Sequence, residues 1–432
     1  MGGIEVHSSE PSGPTRQWKM SRVTLVSLCG LLVLGPDTSI AQAGPLERAQ
    51  SCRSLRSMGR VYIASGGYEN AQPFLERALH IAQGTSASDS EVYACMLDLA
   101  YLYKNQGKLD EAERMCLSGL ELQEKVYSEG HPYVAYTLRI LSEIYRGQGR
   151  YRQAQSKLER AIGIMHRVCP EDDQQSAPFQ VDMARLLAER GCFADAEAHF
   201  EKAIALIESG YGPEHLYTTK VLASMATLYV EQERYAEAEE LILRVLPVQE
   251  RIYGPNHHFL VPVWLLRARI EQAKGDLAHM KLLLDRSLRV VENHPDCGRV
   301  VEGELLSRLG QYHLLSDEYT QAEAVLARAL NVLENSEGSY GGRTAVALNS
   351  LAHVYLNQGE YSKAEPLCRR ALDILESIFD EHHPKVADVL ETLAQLRRET
   401  GEVAEAARLR QRAKDIRLRQ RVDDGPVAKM TE

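Results

Sequence analysis

The stretch LNSLAHVYLNQGEYSKAEPLCRRALDILESIF, residues 348–379, decides the fold of this chain. Apolar or small residues recur every three or four positions between Ala345 and Gln358, which predicts a helix with one apolar stripe. A second helix of the same kind is predicted from about Glu360 to Phe379. Gly359 stands between them, and only glycine enters the left-handed helix-ending conformation at little cost. Such a hairpin must bury its apolar faces against neighbouring hairpins.

Copies of this pattern follow one another at a spacing of 42 residues, with a single spacing of 41. The turn position falls in order at Gly66, Gly107, Gly149, Gly191, Glu233, Gly275, Asp317, Gly359 and Gly401. At Glu233 and Asp317 a side chain replaces glycine, which makes the left-handed helix end less favourable there. The repetition predicts nine hairpins in one register.

Small residues recur seven positions before each turn. In chain order they are Gly59, Ala100, Ser142, Ala184, Ala226, Ala268, Gly310, Ala352 and Ala394. A second series, five positions after the turn, is alanine in every copy except one, which has Met280. Small side chains at both positions predict that the two helices of a hairpin approach closely.

The pattern LAxxYxxQGxYxxAExxxxRAL at residues 351–372 resembles the tetratricopeptide repeat in its 42-residue form, the form found in kinesin light chains. The resemblance extends from about Ala49 to Gln420. It implies an all-α fold, a right-handed superhelical solenoid of nine antiparallel helix-turn-helix repeats. It also implies a scaffold that binds a protein or peptide partner in the concave groove of the superhelix.

Four histidines share one phase in the loops between hairpins: His131, His215, His257 and His383. Two of them belong to His-His pairs, which raises the alternative of a metal site. No cysteine or carboxylate keeps the same period, so a role at the start of the following helix is favoured and no metal is expected.

Residues 1–43 are predicted to be a leader with a signal peptide, cleaved near Ala43 and Gly44. Basic residues precede a short apolar run, and the sequence Ala-Gln-Ala follows it, which is the order typical of such peptides. The solenoid is then predicted over residues 44–420 and a polar tail over 421–432. We expect export to the periplasm or beyond, without a stable membrane span after cleavage. A cytoplasmic protein is the alternative, and either Met1 or Met20 is the start.

Composition and motifs exclude several classes of function. The net charge of −10 argues against a nucleic-acid binder, because neutralising phosphates needs a clustered basic surface. No phosphate-binding loop, catalytic serine motif or dinucleotide turn is found, so neither an enzyme nor a cofactor is expected. The eight cysteines show no metal-binding spacing, and Cys116 and Cys368 lie at positions that predict core packing.

Function is expected on the wall lined by the first helix of each hairpin. We expect the residues three before the small residue and one, four and five after it to face the groove. The candidate partner-binding residues are Arg60, Tyr101, Lys104, Arg139, Glu143, Arg146, Arg185, Thr227, Arg269, Gln272, Gln311, Asn349 and His353. Several are cations, which favours a partner segment with acidic residues.

Two other functions stay open on the sequence alone. The ends or the convex face of the solenoid could drive self-association within an envelope complex. The chain could also be a regulatory or docking subunit of a separate enzyme.

Overall fold

The computed structural model describes residues 45–64, 67–84, 89–168, 174–294, 298–337, 341–379, 381 and 383–423. The predicted leader, residues 1–43, lies outside them, as do Gly66 and most of the predicted tail.

Over these residues the chain is all-α, as the sequence predicts, and eighteen helices follow one another without a strand. They are α1 (Pro45–Ala64), α2 (Tyr68–Gln83), α3 (Asp89–Asn105), α4 (Leu109–Tyr127), α5 (Pro132–Gly147), α6 (Tyr151–Val168), α7 (Ala177–Glu189), α8 (Phe193–Tyr211), α9 (Leu216–Glu231), α10 (Tyr235–Tyr253), α11 (Val261–Lys274), α12 (Leu277–Asn293), α13 (Arg299–Leu315), α14 (Tyr319–Glu337), α15 (Gly342–Asn357), α16 (Tyr361–Ile378), α17 (Pro384–Glu399) and α18 (Val403–Asp423). Short 3₁₀ turns, Gln174–Ser176 and His258–Leu260, precede α7 and α11.

The chain divides into two compact units, Met1–Leu102 and Tyr103–Glu432. In the first unit α1 packs against α2. In the second, each odd-numbered helix from α5 onward packs against the even-numbered helix that follows it. The predicted hairpins are therefore present, and the final helix continues to Asp423, beyond the predicted end of the solenoid at residue 420.

The turn inside each hairpin has the backbone expected of it. Gly359 has φ 75°, and its N–H donates to the Leu356 carbonyl at 3.1 Å. The next N–H, of Glu360, donates to the Tyr355 carbonyl at 2.8 Å, which completes a Schellman helix end. Glu233 and Asp317 enter the same region with φ 62° and 57°. The repeat register therefore imposes the left-handed conformation even where the sequence has no glycine.

The small residues before each turn lie where the two helices of a hairpin touch. Ala352 is fully buried, and a methyl group added to Gly310 would lie 2.6 Å from Cδ2 of Leu326. In the first unit, a methyl group on Gly59 would come 2.5 Å from Cδ2 of Leu75. The predicted close approach of the helices is confirmed at these positions.

The four in-phase histidines begin helical segments, as predicted. In each case the imidazole Nδ1 accepts a hydrogen bond from the backbone N–H two residues later, at 3.2 to 3.3 Å. Each ring also stacks on the aromatic residue four positions earlier: Tyr127, Tyr211, Tyr253 or Phe379. This histidine thus accepts a hydrogen bond from a backbone N–H at the helix N-terminus, and its stacked ring also holds the preceding loop in place.

Two cysteines are part of the core, also as predicted. Cys116 and Cys368 have no exposed surface, and burial raises the pKa of each thiol to about 12. Both therefore act as small apolar side chains.

The last helix, α18, is polar on most of its surface. Only a narrow stripe of Ala406, Ala413 and Ile416 is buried among its described side chains. Arg412 forms an ion pair with Glu376 of α16 at 2.7 Å. Such a helix closes the apolar end of a solenoid to water.

Hairpins far apart in sequence touch each other in the second unit. Nε2 of His383, before α17, lies 2.8 Å from the carbonyl oxygen of Glu189, at the end of α7. The rings of Tyr151 and Phe379 stack with centroids 5.4 Å apart. The turn at Gly107 similarly faces the end of α14. One turn of this unit's superhelix therefore rests against the next.

Candidate partner-binding groove

Consecutive first helices are joined by a recurring side-chain hydrogen bond. The residue one position after the small residue bonds to the residue two positions before the small residue of the next hairpin. Arg185 bonds to Ser224 at 3.0 Å, Gln311 to Ser350 at 3.2 Å, and His353 to Thr392 at 2.8 Å. These predicted residues therefore lie along one face, where neighbouring first helices meet.

Two predicted residues belong to the first unit. Arg60, on α1, forms an ion pair with Asp98 of α3 at 2.8 Å, and Arg56 binds the other oxygen of the same carboxylate at 2.7 Å. Tyr101, on α3, is 43% exposed. Arg60 is thus engaged by a neighbouring helix, and Tyr101 is partly accessible to solvent.

The next four predicted residues form one charge network with two partners that were not predicted. Lys104 binds Glu143, and Arg139 binds Asp182 at 2.7 Å. Burial raises the pKa of Glu143, but the charge and hydrogen bond of Lys104, together with the charges of Arg139 and Arg146, hold that pKa below its ordinary value. Arg146 pairs with Glu189 at 2.5 Å; Asp182 and Glu189 both belong to α7. These three cations are therefore neutralised by the protein itself.

Arg185 and Thr227 stand apart from that network. Besides its bond to Ser224, Arg185 lies 3.9 Å from Asp182. Thr227 is exposed, and its hydroxyl donates to the carbonyl of Ala223 on its own helix at 3.0 Å. Neither side chain is held rigidly by a close carboxylate.

Arg269 of α11 pairs with Glu231 of α9 at 2.5 Å. Burial opposes the charge of Glu231, but Arg269, Lys385 and Arg308 favour it more strongly and lower its pKa to about 2. About a third of the Glu231 side chain is still accessible to solvent. Helices α9, α11, α13 and α17 therefore contribute charges to one region of the inner wall.

The last four predicted residues come together around a pocket of about 250 Å³. Gln272, Gln311, Asn349 and His353 line it, with an apolar part supplied by Leu314, Leu315, Val346, Leu375 and Val389. Lys385 and Asp388 of α17 complete the charged side. Burial lowers the pKa of His353 and raises that of Asp388. The pocket thus combines polar amides with an apolar floor.

Arg308, beside this pocket, was not predicted. Its only hydrogen bond goes to Oε1 of Gln311 at 2.9 Å, and no carboxylate of the described residues forms an ion pair with it. Its Nε is buried without a partner, as is Oδ1 of Asn349. Burial and the nearby charge of Arg269 lower the pKa of Arg308 to about 10. The charges of Glu304 and Glu231 favour this cation, but neither carboxylate forms a direct ion pair with it.

Sequence reasoning missed the acidic side of this wall and Arg308 for the same reason. Asp98, Asp182 and Arg308 lie two positions before the small residue, a position that was not expected to face the groove. Glu189 and Glu231 lie five positions after it, a position expected to face the groove, but they were not among the candidate residues. The sequence did contain a signal for these ion pairs, because each arginine and its acidic partner are 38 or 43 positions apart, close to one repeat.

The part of the chain that the structure describes contains no group of three or more His, Cys, Asp or Glu arranged to hold a metal ion. Among the same residues, no helix is long and apolar enough to cross a bilayer.

The repeat pattern and this architecture agree with the comparisons to known proteins. The family model described as tetratricopeptide repeat matches residues 92–165, 176–251, 301–377 and 343–419, more than half of the 432 residues. The chain therefore belongs to the tetratricopeptide repeat family.

Among curated proteins, the chain is similar to Protein KINESIN LIGHT CHAIN-RELATED 2 of Arabidopsis thaliana, with 29% identity over 92 residues. That match spans 21% of this chain and only 14% of the relative.

Two solved structures share the fold. A Rap protein in complex with competence and sporulation factor superposes with a TM-score of 0.63 at 12% identity, covering 87% of this chain and 99% of that one. The apo form of the quorum sensor NprR from B. thuringiensis gives 0.57 at 13% identity, covering 82% and 94%.

Proposed function

We propose that this protein is a non-enzymatic scaffold whose inner groove binds an extended, acidic segment of a partner protein. The observation that carries the proposal is that Arg308 has no ion-pair partner among the described residues and lies beside the pocket of Gln272, Gln311, Asn349 and His353. Tetratricopeptide repeat proteins bind protein or peptide partners, which sets the class of ligand.

The pairing of the other cations sharpens where an acidic ligand would bind. Lys104, Arg139, Arg146 and Arg269 already have carboxylate partners, so they offer a ligand little net charge. Arg308 and Lys385 form no ion pair within the described residues. A ligand carboxylate beside them would supply the anion that Arg308 lacks, through charge-assisted hydrogen bonds.

Asn349 gives the same pocket a second polar function. Its buried Oδ1 has no partner and can accept a hydrogen bond from a backbone N–H of the ligand. The neighbouring Leu314, Leu315 and Leu375 would receive an apolar side chain. The expected ligand segment therefore has an acidic residue next to an apolar one.

The test is a selection of displayed random peptides on the purified full chain. We expect the selected peptides to be rich in Asp and Glu. Arg308→Glu should weaken their binding by about 10- to 100-fold, the effect of losing a hydrogen bond to a charged group. The matched control is Arg289→Glu, which makes the same charge change at an exposed position of α12.

Equal affinity of the Arg308→Glu and Arg289→Glu variants would contradict binding at this pocket. Selected peptides without acidic residues would contradict the chemistry of the ligand while leaving a groove-binding scaffold intact. Circular dichroism of both variants checks that the helices are unchanged.

We also propose export through the leader at residues 1–43, on the order of basic, apolar and small residues described above. Fractionation of cells and sequencing of the amino terminus of the mature protein test this directly. An amino terminus at Met1 or Met20 would contradict cleavage near Ala43.

A further inference from the structure

Two cysteines of the first unit lie in contact. Sγ of Cys52, on α1, is 3.5 Å from Sγ of Cys95, on α3. Both side chains are buried, in a cluster with Leu55, Phe74 and Ala78. The two thiols therefore meet inside the core that joins the first helices of two consecutive hairpins.

The distance is short enough for a covalent bond to form after a small movement. A disulfide has its sulfur atoms about 2.05 Å apart, so the two sulfurs need to approach by about 1.5 Å. Sγ of Cys52 also contacts the Ala78 carbonyl oxygen at 3.6 Å, a weak hydrogen bond that this movement would break. Cys116 differs, because its Sγ contacts the carbonyl oxygen of Thr137 at 3.7 Å and, among the described residues, no other sulfur.

The surroundings make the two thiols unequal. The hydrogen bond from the Cys95 thiol lowers the pKa of Cys52, burial opposes this change, and the positive charge of Arg56 adds to it. The same hydrogen bond and burial raise the pKa of Cys95. Arg56 is fixed in this position by Asp98, at 2.7 Å. Cys52 is thus the better thiolate, which is the form that attacks a disulfide.

We propose that Cys52 and Cys95 are a redox pair that closes to an intramolecular disulfide by exchange with an external disulfide. The Cys52 thiolate attacks one sulfur of the oxidant, forms a mixed disulfide, and releases one thiolate, which takes up a proton. Cys95 then loses its proton and attacks Sγ of Cys52, which expels the second thiol. Two protein thiols are oxidised and one external disulfide is reduced to two thiols.

The bond would tie α1 to α3 across 43 residues. Closing a loop of this length restricts the unfolded chain and so stabilises the folded first unit. In the reduced protein, α1 is held to α3 by packing and by the ion pairs of Arg53, Arg56 and Arg60. Because both sulfurs are buried, exchange requires either a transient opening of α1 or an unfolded chain that is still folding.

The experiment refolds the reduced full chain from denaturant with oxidised and reduced glutathione, alkylates the free thiols after unfolding the protein again in denaturant, and digests it with trypsin without reduction. We expect one linked product of residues 49–53 and 78–104, two hydrogens lighter than the sum of its parts. Cys116 and Cys368 should be alkylated fully in the same sample. Complete alkylation of Cys52 and Cys95, or a lasting glutathione adduct on Cys52, overturns the proposal.

Thermal unfolding gives a second readout that does not depend on digestion. Oxidised wild type should unfold several degrees above the same sample treated with dithiothreitol. The Cys52→Ala, Cys95→Ala double variant should lose this difference, and Cys116→Ala should keep it. A difference of equal size in the double variant overturns the assignment, since the shift would then arise from other cysteines. The result is independent of whether the groove binds a peptide.

Discussion

Arg269 and Glu231 form an ion pair of 2.5 Å between two hairpins, and the pair lies on the inner wall of the second unit. Glu231 has a pKa of about 2 in the folded protein, below its ordinary value of 4.5. A carboxyl group with a depressed folded-state pKa stabilises the fold above its unfolded pKa, and this stabilisation is lost as the pH falls toward the folded pKa.

The first prediction concerns pH. Glu231→Gln should be less stable than wild type at pH 7, and the difference should shrink between about pH 4.5 and pH 2 until the two proteins unfold alike. Urea unfolding at a series of pH values measures it. Glu240→Gln, at an exposed position on the second helix of the same hairpin, is the control and should show no such trend. A constant difference across the series would mean that Glu231 is not stabilised by its charge.

The second prediction concerns the contact between superhelical turns. His383→Ala and His131→Ala each remove a helix cap and a stacked ring, but only His383→Ala also removes the contact with the Glu189 carbonyl. We expect His131→Ala to cost about 1 kcal/mol and His383→Ala about 1 kcal/mol more. Amide hydrogen exchange should quicken around Gly191 only in the His383 variant. Equal exchange there in both variants would show that the contact contributes nothing.

The third prediction uses two helical glycines. Gly310→Ala forces a methyl group against Leu326, which is fully buried and has no room to move, so we expect a loss of about 1–3 kcal/mol. At Gly163 the nearest atom to an added methyl group is 3.9 Å away, so Gly163→Ala should gain about 0.5–1 kcal/mol. Urea unfolding of both variants measures these changes in the free energy of unfolding. A gain at both positions would mean that the helices of the seventh hairpin are not closely packed.

The fourth prediction concerns two turn positions, one where glycine is introduced and one where glycine is replaced. Glu233 has φ 62°, so Glu233→Gly should relieve about 1 kcal/mol of strain. Gly359 has φ 75° and no atom within 4 Å of an added methyl group, so Gly359→Ala should cost a similar amount from the backbone alone. The free energies of unfolding should therefore change with opposite signs. Changes of the same sign would contradict a shared left-handed turn.

The repeat made most of the fold predictable, because the same residue types recur at the same positions of each hairpin. Gly359, Ala352 and His383 each have a role that follows from phase alone: a left-handed turn, a close helix contact and a helix start. The boundaries were less exact. Helix α15 begins at Gly342, three residues before the predicted Ala345, since Gly342, Arg343 and Thr344 are helical without belonging to the apolar pattern.

The groove was harder to predict than the fold. Phase placed Gln311 and His353 on the right face, but it could not show that Arg139 and Arg269 are neutralised by carboxylates on adjacent helices. Such pairing depends on which side chains reach across a helix contact, and the apolar periodicity contains no information about it. Arg308 was missed because its position, two before the small residue, was not among those expected to face the groove.

The contact between His383 and Glu189 was beyond any repeat-based prediction. Nearest-neighbour packing determines the rotation from one hairpin to the next, and only the sum of several such rotations determines whether distant hairpins meet.

An open solenoid behaves like a spring, because its coils can separate or twist at little cost while each repeat keeps its neighbours. In the second unit the coils already rest on one another through His383, Tyr151 and Phe379. Stretching this unit would break contacts between residues about two hundred positions apart before any hairpin separates from the next. Its elasticity under load should accordingly be that of a closed coil, stiff at first and compliant only after these contacts rupture.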